Sequence, residues 1–265
     1  MKGMNIIETI ILGLIQGLTE FIPISSSGHL VIGQTLFGGG SDHLFLEFIN
    51  IGTMVALLVF FRSRIAEIIK DIWVNHNSRL ARNIIITAVP AGAVGFFLSD
   101  FIASNAFFGS VAVVAVTLAT VGAVMVVLEK LPKASRVESG DALSPLRAFA
   151  IGATQVLALI PGVSRSGSTI IAGRLAGLSP AAAAEYSFLA SLPIMAGVTL
   201  KVLLTDTDYL MANLLPLLVG NTIAFISGLI AVGFLMRYLA HHSLAVFGWY
   251  RIGLASVLTI VLLVQ

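Results

Sequence analysis

An all-α polytopic membrane protein, with about six transmembrane helices and two re-entrant helix-loop-helix hairpins in an inverted-topology repeat, is the fold class this sequence predicts. Three observations lead there. Hydrophobic residues make up 57% of the chain and charged residues 11%, with a mean hydropathy of +1.01, whereas soluble domains carry roughly 25% charged residues. Apolar stretches of about 20 residues, the length a helix needs to cross roughly 30 Å of hydrocarbon, recur along the whole chain. Two further apolar segments are each broken near the middle by Pro, Ser and Gly, and the two breaks match in a single register.

Taken in order, the broken segments cover residues 5–37 and 148–178. In lipid an interrupted backbone leaves N–H and C=O groups without partners, so each break must be buried in protein or line a wet cavity. A hairpin that returns to its own side is the economical solution. Continuous spans are expected at about 44–61, 82–98, 106–128, 185–204, 213–235 and 244–264. Ser144-Pro145 and Ser179-Pro180 each place a capping residue before a proline suited to the first helical turn. The second pair opens residues 181–184, four alanines that allow close helix packing in lipid. The first apolar run follows Lys2, as in a signal peptide, but no small-x-small cleavage pattern comes after it, so it reads as retained. Gly38-Gly39-Gly40 reads as a turn. A single membrane domain, residues 1–265, takes up the chain, with repeat 1 at about 5–128 and repeat 2 at about 145–264.

Loop charges fix the expected topology, because Lys and Arg collect on the cytoplasmic side. Arg62, Arg64, Lys70, Arg79 and Arg82 lie in the connection 62–82, Lys130, Lys133, Arg136 and Arg147 in 129–147, and Arg237 in 236–243. The connections 38–43, 99–105 and 205–212 hold only acidic charges, Asp42, Asp100, Asp206 and Asp208. This alternation works only if both broken segments return to the side they entered from. Both termini then lie outside, with Lys2 a mild exception; the first hairpin dips in from outside and the second from the cytoplasm.

An inverted repeat follows, and the residues carry it. Setting residue n against n + 139 pairs Gly13 with Gly152, Gln16 with Gln155, Ser25 with Ser164, Ser27 with Ser166 and Gly28 with Gly167. Three spans separate the hairpins, an odd number, so the second copy is upside down. Broken helices meeting near the midplane of such a repeat carry the binding site in transporters.

Several function classes drop out. A net charge of +2 from 15 Lys and Arg, most of them in short loops, gives topology information and no nucleic-acid patch. Zero cysteines exclude disulfides and thiolate nucleophiles or metal sites. There is no His-Glu-x-x-His pair, no Gly-x-x-x-x-Gly-Lys loop and no Gly-x-Ser-x-Gly elbow, so neither a nucleotide nor an organic cofactor is expected.

The polar residues of the two breaks are the candidates for chemistry. Glu20 is a carboxylate inside an apolar segment, where it must be paired, protonated or functional. Gln16 lies four residues earlier on the same helical face. Ser25, Ser26, Ser27 and Gly28 offer hydroxyls and successive N–H groups, an anion nest at the start of a helix. His29 adds a group that exchanges protons near neutral pH, within a turn or so of a candidate nucleophile. The second break supplies a fixed positive charge, Arg165, among Ser164, Ser166, Gly167, Ser168 and Thr169. Its planar guanidinium suits two-point capture of a phosphate or a pairing with Glu20. Glu47 and Glu185 fall one residue short of the repeat register and are candidates to support the site. Arg174, Lys201 and Arg251 are expected to form structural pairs or to reach for the interface, and His241 and His242 to sit in a cytoplasmic loop.

These two motifs resemble those of the bacterial undecaprenyl pyrophosphate phosphatase family, the bacitracin-resistance type of integral membrane phosphatase. The first family motif, Glu or Gln followed four residues later by Glu, is matched by Gln16 and Glu20, continuing into Pro23, Ser25-Ser26-Ser27-Gly28 and His29. The second, Pro-Gly-x-Ser-Arg-Ser-Gly-x-Thr, is matched from Pro161 to Thr169 at every fixed position. The resemblance implies removal of one phosphate from a polyprenyl pyrophosphate, regenerating the cell-wall lipid carrier, at a site opening to the outer face of the bacterial cytoplasmic membrane. It also implies a homodimer. Carried over by position, Glu20 binds a divalent cation (Mg or Ca) or acts as base, Arg165 holds the pyrophosphate, and Ser26, His29 or a water is the nucleophile. Gln16 stands where many members carry Glu, which removes one charge from the expected cation site. A transporter or flippase of a polyprenyl phosphate is the alternative, since a phosphate-gripping inverted repeat serves both.

Overall fold

The computed structural model describes residues 5–36, 42–131 and 137–264, with only the backbone of Leu36 and Ala103. Lys2, Gly38-Gly39-Gly40, Lys133 and Arg136 lie outside the described residues, as do the expectations attached to them.

Among the described residues the chain is helical, with no strand beyond a single bridge between Val137 and Leu178. α1 (Ile6–Phe21) and α2 (Ser26–Leu36) form the first helix-turn-helix unit. α3 (His43–Phe60), α4 (Arg62–Trp73), α5 (Arg79–Phe97), α6 (Ser99–Ser104) and α7 (Val111–Leu128) follow. α8 (Pro145–Val156), a 3₁₀ turn (Leu157–Leu159) and α9 (Arg165–Leu175) form the second unit. α10 (Pro180–Thr205), α11 (Thr207–Ala212), α12 (Leu214–His241) and α13 (Ala245–Val264) complete the chain. Six of these helices, α3, α5, α7, α10, α12 and α13, are long and apolar enough to cross a membrane, and the protein is a multi-pass membrane protein.

The spans start where side chains can serve the free N–H groups of a first turn. Asp42 accepts from Phe45 N (3.0 Å), Ser144 from Arg147 N (3.3 Å) and Ser179 from Ala182 N (3.2 Å). Two boundaries move for the same reason. Residues 106–109 form a separate 3₁₀ turn capped by Asn105, and Ser110 starts α7 five residues later than hydropathy suggests. α10 begins at Pro180, on its cap, rather than at 185. The stretch 236–243 is not a free loop, because α12 carries Arg237 and runs to His241.

The connection 62–82 also holds a helix. α4 is too charged and too short to span, yet it leaves Ile69 and Trp73 exposed beside Arg62, Arg64 and Lys70, and Val74 at its C-cap is exposed as well. That mixture suits a helix lying along an interface.

Small residues bring the helices together. α1 packs along α12 at Gly17, where a Cβ would come within 2.5 Å of the Ala224 carbonyl. α8 packs on α5 at Gly152, where a Cβ would lie 2.5 Å from the Thr87 carbonyl. Each helix-turn-helix unit therefore packs on a span from the other half of the chain. α7 and α13 cross at Gly122 and Gly248, each tight against the other's backbone. Beneath the two turns, Phe21, Ile170 and Phe188 are buried, and the two aromatic rings meet edge to face at 5.6 Å.

Candidate active site

Each turn is closed by a serine in an unusual backbone conformation. Ser25 has φ 77° and Ser164 φ 76°, in the left-handed region that residues other than glycine rarely adopt. The reward is a cap: Ser25 Oγ accepts from Gly28 N (3.2 Å) and Ser164 Oγ from Gly167 N (3.0 Å). Ser25 and Ser27 hydroxyls lie 3.2 Å apart, as do those of Ser164 and Ser166. His29 N donates to Ser25 O (3.2 Å) and Ser168 N to Ser164 O (2.9 Å). The n + 139 register read from the sequence thus holds bond by bond at the tips.

The tips meet at Glu20. Its Oε1 accepts from Arg165 Nη2, and its Oε2 accepts from Ser26 Oγ (2.6 Å) and Gln16 Nε2 (3.1 Å). Ser166 Oγ donates to the Glu20 carbonyl (3.3 Å), tying the second tip to the first a second time. Gln16 Nε2 also donates to Asn50 Oδ1 on α3 (2.5 Å). The Glu20 side chain is 10% exposed and that of Arg165 20%, so this is a charge pair withdrawn from water, which must satisfy its donors and acceptors locally. One donor is left over. Arg165 Nη1 is buried with no hydrogen-bond partner.

A cleft of about 340 Å³ opens beside this pair. Gln16, Glu20, Ser26, Ser27, Gln34, Glu47 and Asn50 give it a polar floor, and Leu30, Val31, Leu46, Ile102, Phe108 and Leu159 give it apolar walls. Of the residues singled out in the sequence, Glu20, Ser26, Ser27, Gln16 and Glu47 reach this cleft. Ser25, Ser164 and Ser166 are buried inside their own turns. Gly28 lies against Val114 of α7. Gly167 lies against the Arg251 guanidinium. Thr169 is fully buried, donating to Arg165 O (2.8 Å) and bonded to Ser187 of α10.

His29 turns toward α13. Its Nδ1 faces the Ser25 carbonyl at 2.7 Å, and since a carbonyl only accepts, Nδ1 holds the proton. Its Nε2 pairs with the Tyr250 hydroxyl at 2.8 Å, and the two rings stack with centroids 5.8 Å apart. The hydrogen-bond partner of Ser26 is Glu20 rather than His29.

Three residues escaped the sequence reading. Asn50 and Gln34 carried the signal that flagged Glu20, a polar side chain within an apolar helix. Tyr250 carried none. Arg251 requires a correction: it has no carboxylate partner among the described residues and does not reach the interface. It is fully buried and donates to backbone carbonyls of both tips.

Apart from His43, the cleft's potential metal donors are oxygens, a set suited to a hard divalent cation. Gln34 buries its Oε1 without a partner, as an oxygen available to such an ion would be. Among the described residues there is no group of three or more His, Asp or Glu side chains placed for a metal.

A second cavity, about 430 Å³, lies against α4 and is lined by Arg64, Glu67, Glu138, Glu185 and Tyr186. Arg64 pairs with Glu185 (2.9 Å) and Glu67 (3.0 Å). Partial burial works against the Arg64 charge, but these two carboxylates outweigh it and raise its pKa above the ordinary guanidinium value. Glu185 therefore serves this cavity and not the cleft. Its α10 lining, Ala182, Glu185, Tyr186 and Leu189, falls at n + 139 from His43, Leu46, Glu47 and Asn50, the α3 lining of the cleft. The two cavities occupy corresponding faces of corresponding helices.

Comparison with known proteins supplies the family. The family described as bacitracin resistance protein BacA matches residues 9–257. The chain is 38% identical over 265 residues to an undecaprenyl-diphosphatase of Parvibaculum lavamentivorans, covering 98% of each chain. It is 36% identical over 256 residues to an undecaprenyl-diphosphatase of Nitrosomonas europaea, covering 96% of this chain and 93% of that one. It is 39% identical over 256 residues to undecaprenyl-diphosphatase 2 of Pseudomonas fluorescens, covering 95% and 92%. With its two facing turns and a match along nearly its whole length, the chain belongs to the bacitracin resistance protein BacA family.

Proposed function

We propose that this protein is a membrane phosphatase that cleaves the terminal phosphate from undecaprenyl diphosphate, leaving undecaprenyl phosphate. One observation carries the reading: Glu20, which lines a cleft with apolar walls together with Ser26, joins the Ser26 hydroxyl to Arg165, whose Nη1 stays unpartnered. A diphosphate needs a fixed cation, an in-line nucleophile and a proton carrier, and its polyprenyl tail needs an apolar wall. The names of the relatives describe this chemistry, and they favour it over lipid transport.

In the first half-reaction Ser26 Oγ attacks the terminal phosphorus. The new O–P bond forms as the phosphoanhydride P–O bond breaks, and its electron pair leaves with undecaprenyl phosphate. Glu20 takes the hydroxyl proton and returns it to the leaving oxygen. Arg165 neutralises charge on the transferred phosphoryl group. In the second half a water attacks the phosphoserine, releasing phosphate, and its proton passes through Glu20 back to Ser26 Oγ. A divalent cation, Mg or Ca, would be held by Glu20, Glu47, Asn50 and Gln34 and would supply further charge neutralisation. His29, fixed by Tyr250 and Ser25, holds the Ser26 turn in place.

The cleft belongs to the outer face of the bacterial cytoplasmic membrane in this reading, and the α1–α2 and α8–α9 units are re-entrant. Support comes from where the charged connections fall. Ile102, Phe108 and Gly109 line the cleft, and Tyr209 donates to Asp42 (2.6 Å), gathering the acidic connections near one end. Arg64 and Glu138, from the basic connections, line the other cavity. A homodimer is implied by the family resemblance.

Release of inorganic phosphate from a C55 or C15 diphosphate by purified protein, across divalent cations, is the test. Stoichiometric phosphate with the monophosphate lipid as co-product is expected. Lipid translocation in liposomes without phosphate release would point to transport instead.

A further inference from the structure

We infer that Arg251 is the positioning residue that holds the two tips in register for the phosphatase reaction, an inference that rests on the reading above. Arg251 lies on α13, is fully buried, and has no carboxylate within ion-pair distance among the described residues. An isolated buried cation is unfavourable unless its N–H groups are used. Arg251 uses those of Nη1 and Nη2 on the two turns at once, and its Nε stays buried without a partner. Nη1 donates to Pro23 O (2.9 Å), and Nη2 donates to Val163 O (2.9 Å) and to Gly162 O.

Those carbonyls sit where they matter. Pro23 lies midway between Glu20 and Ser26, and Gly162 and Val163 come directly before Ser164 and Arg165. Three carbonyl oxygens converging from two separate turns repel one another, and the planar guanidinium fork is what lets them do so. α7 completes the grip, since Thr117 Oγ1 donates to Pro161 O (2.7 Å). The close crossing of α7 and α13 at Gly122 and Gly248 brings Arg251, one turn beyond Gly248, into the space between the tips. Arg251 is fully buried and both its Nη groups are spent on tip carbonyls, so it does not hold the diphosphate itself. Its neighbour Tyr250 secures His29 from the same helix. One turn of α13 therefore fixes the separation between Ser26 with Glu20 on one side and Arg165 on the other.

The absence of native cysteine makes the test direct. Ile22→Cys and Ile160→Cys, one on each tip, carry spin labels for a distance measurement in lipid nanodiscs, in a labelled parent that keeps its turnover. Arg251→Met should lower kcat by about 100-fold, the scale of an ångström of misplacement, with KM little changed and the distance distribution broadened. Arg251→Lys should recover part of kcat and narrow the distribution. An unchanged distribution in Arg251→Met, a rise in KM alone, or wild-type kcat would each overturn the inference. If Arg251→Met does not fold, Arg251→Lys carries the test, with wild-type kcat and distances as the contrary result. A wild-type chain that released no phosphate would sink the enzyme reading, while the distances would still decide whether Arg251 joins the tips.

Discussion

Ser25 and Ser164, from opposite halves of the chain, hold the same left-handed backbone conformation and make the same cap to the glycine three residues on. A non-glycine residue held there stores of order 1–3 kcal/mol, kept only because the surroundings demand it. The two tips are one device used twice, and the device aims the following helix at the facing turn.

This predicts an unusual ordering of substitutions. Ser164→Gly relieves the backbone and keeps a tolerable helix start, so unfolding in detergent should change by about 1 kcal/mol or less. Ser164→Ala keeps the strain and loses the cap, and should cost about 1–2 kcal/mol. The same order is expected at Ser25. Alanine and glycine of equal effect would show that the cap and the strain are not what the serines supply.

Glu20→Ala and Arg165→Ala should each reduce kcat by about 10³-fold or more while the protein remains folded. Because the two act as one unit, the double variant should be little worse than either single. Arg165→Lys should not restore turnover, since an ammonium cannot face a carboxylate and a phosphate as a fork does. Steady-state phosphate release measures all four.

Ser26→Ala tests the covalent route. Its loss of turnover, with a phosphorylated Ser26 peptide trapped from the wild-type chain by acid quench, is the expected result. Retained turnover would assign the attack to water or to His29. Tyr250→Phe keeps the ring stack on His29 and loses one hydrogen bond, a change of about 1 kcal/mol, so kcat/KM should fall by no more than about 10-fold.

Gln16 already donates to Glu20 and Asn50 rather than offering a carboxylate. Gln16→Glu adds a negative charge to the oxygen-lined floor and should lower the Mg or Ca concentration giving half-maximal rate. A titration of activity after chelator treatment reads this out, with an unchanged midpoint arguing against a cation at Glu20.

The spans were legible because lipid leaves so few choices: length and hydropathy mark α3, α5, α7, α10, α12 and α13, although α7, α10 and α12 each differ by more than a turn at one end. Their ends were set by local chemistry finer than hydropathy, such as Ser110 at α7. α4 was hidden because charge marks a loop as readily as an interfacial helix. At the site, Glu20, Ser26 and Arg165 stood out because each is polar where apolar residues are the rule. Tyr250 and the role of Arg251 lay beyond reach for a different reason. Their partners are a histidine 221 residues away and backbone carbonyls up to 228 residues away, and a carbonyl leaves no trace in a sequence. The burial of Ser25, Ser164 and Thr169 was equally hidden, since a hydroxyl that caps a helix and one that binds phosphate read the same.

The most direct measurement is an experimental structure of the protein with a non-hydrolysable polyprenyl diphosphate analogue. The terminal phosphorus is expected between Ser26 Oγ and Arg165 Nη1, with the tail along Leu30, Val31 and Phe108. A head group bound elsewhere, for instance at Arg64 in the cavity beside α4, would contradict this placement.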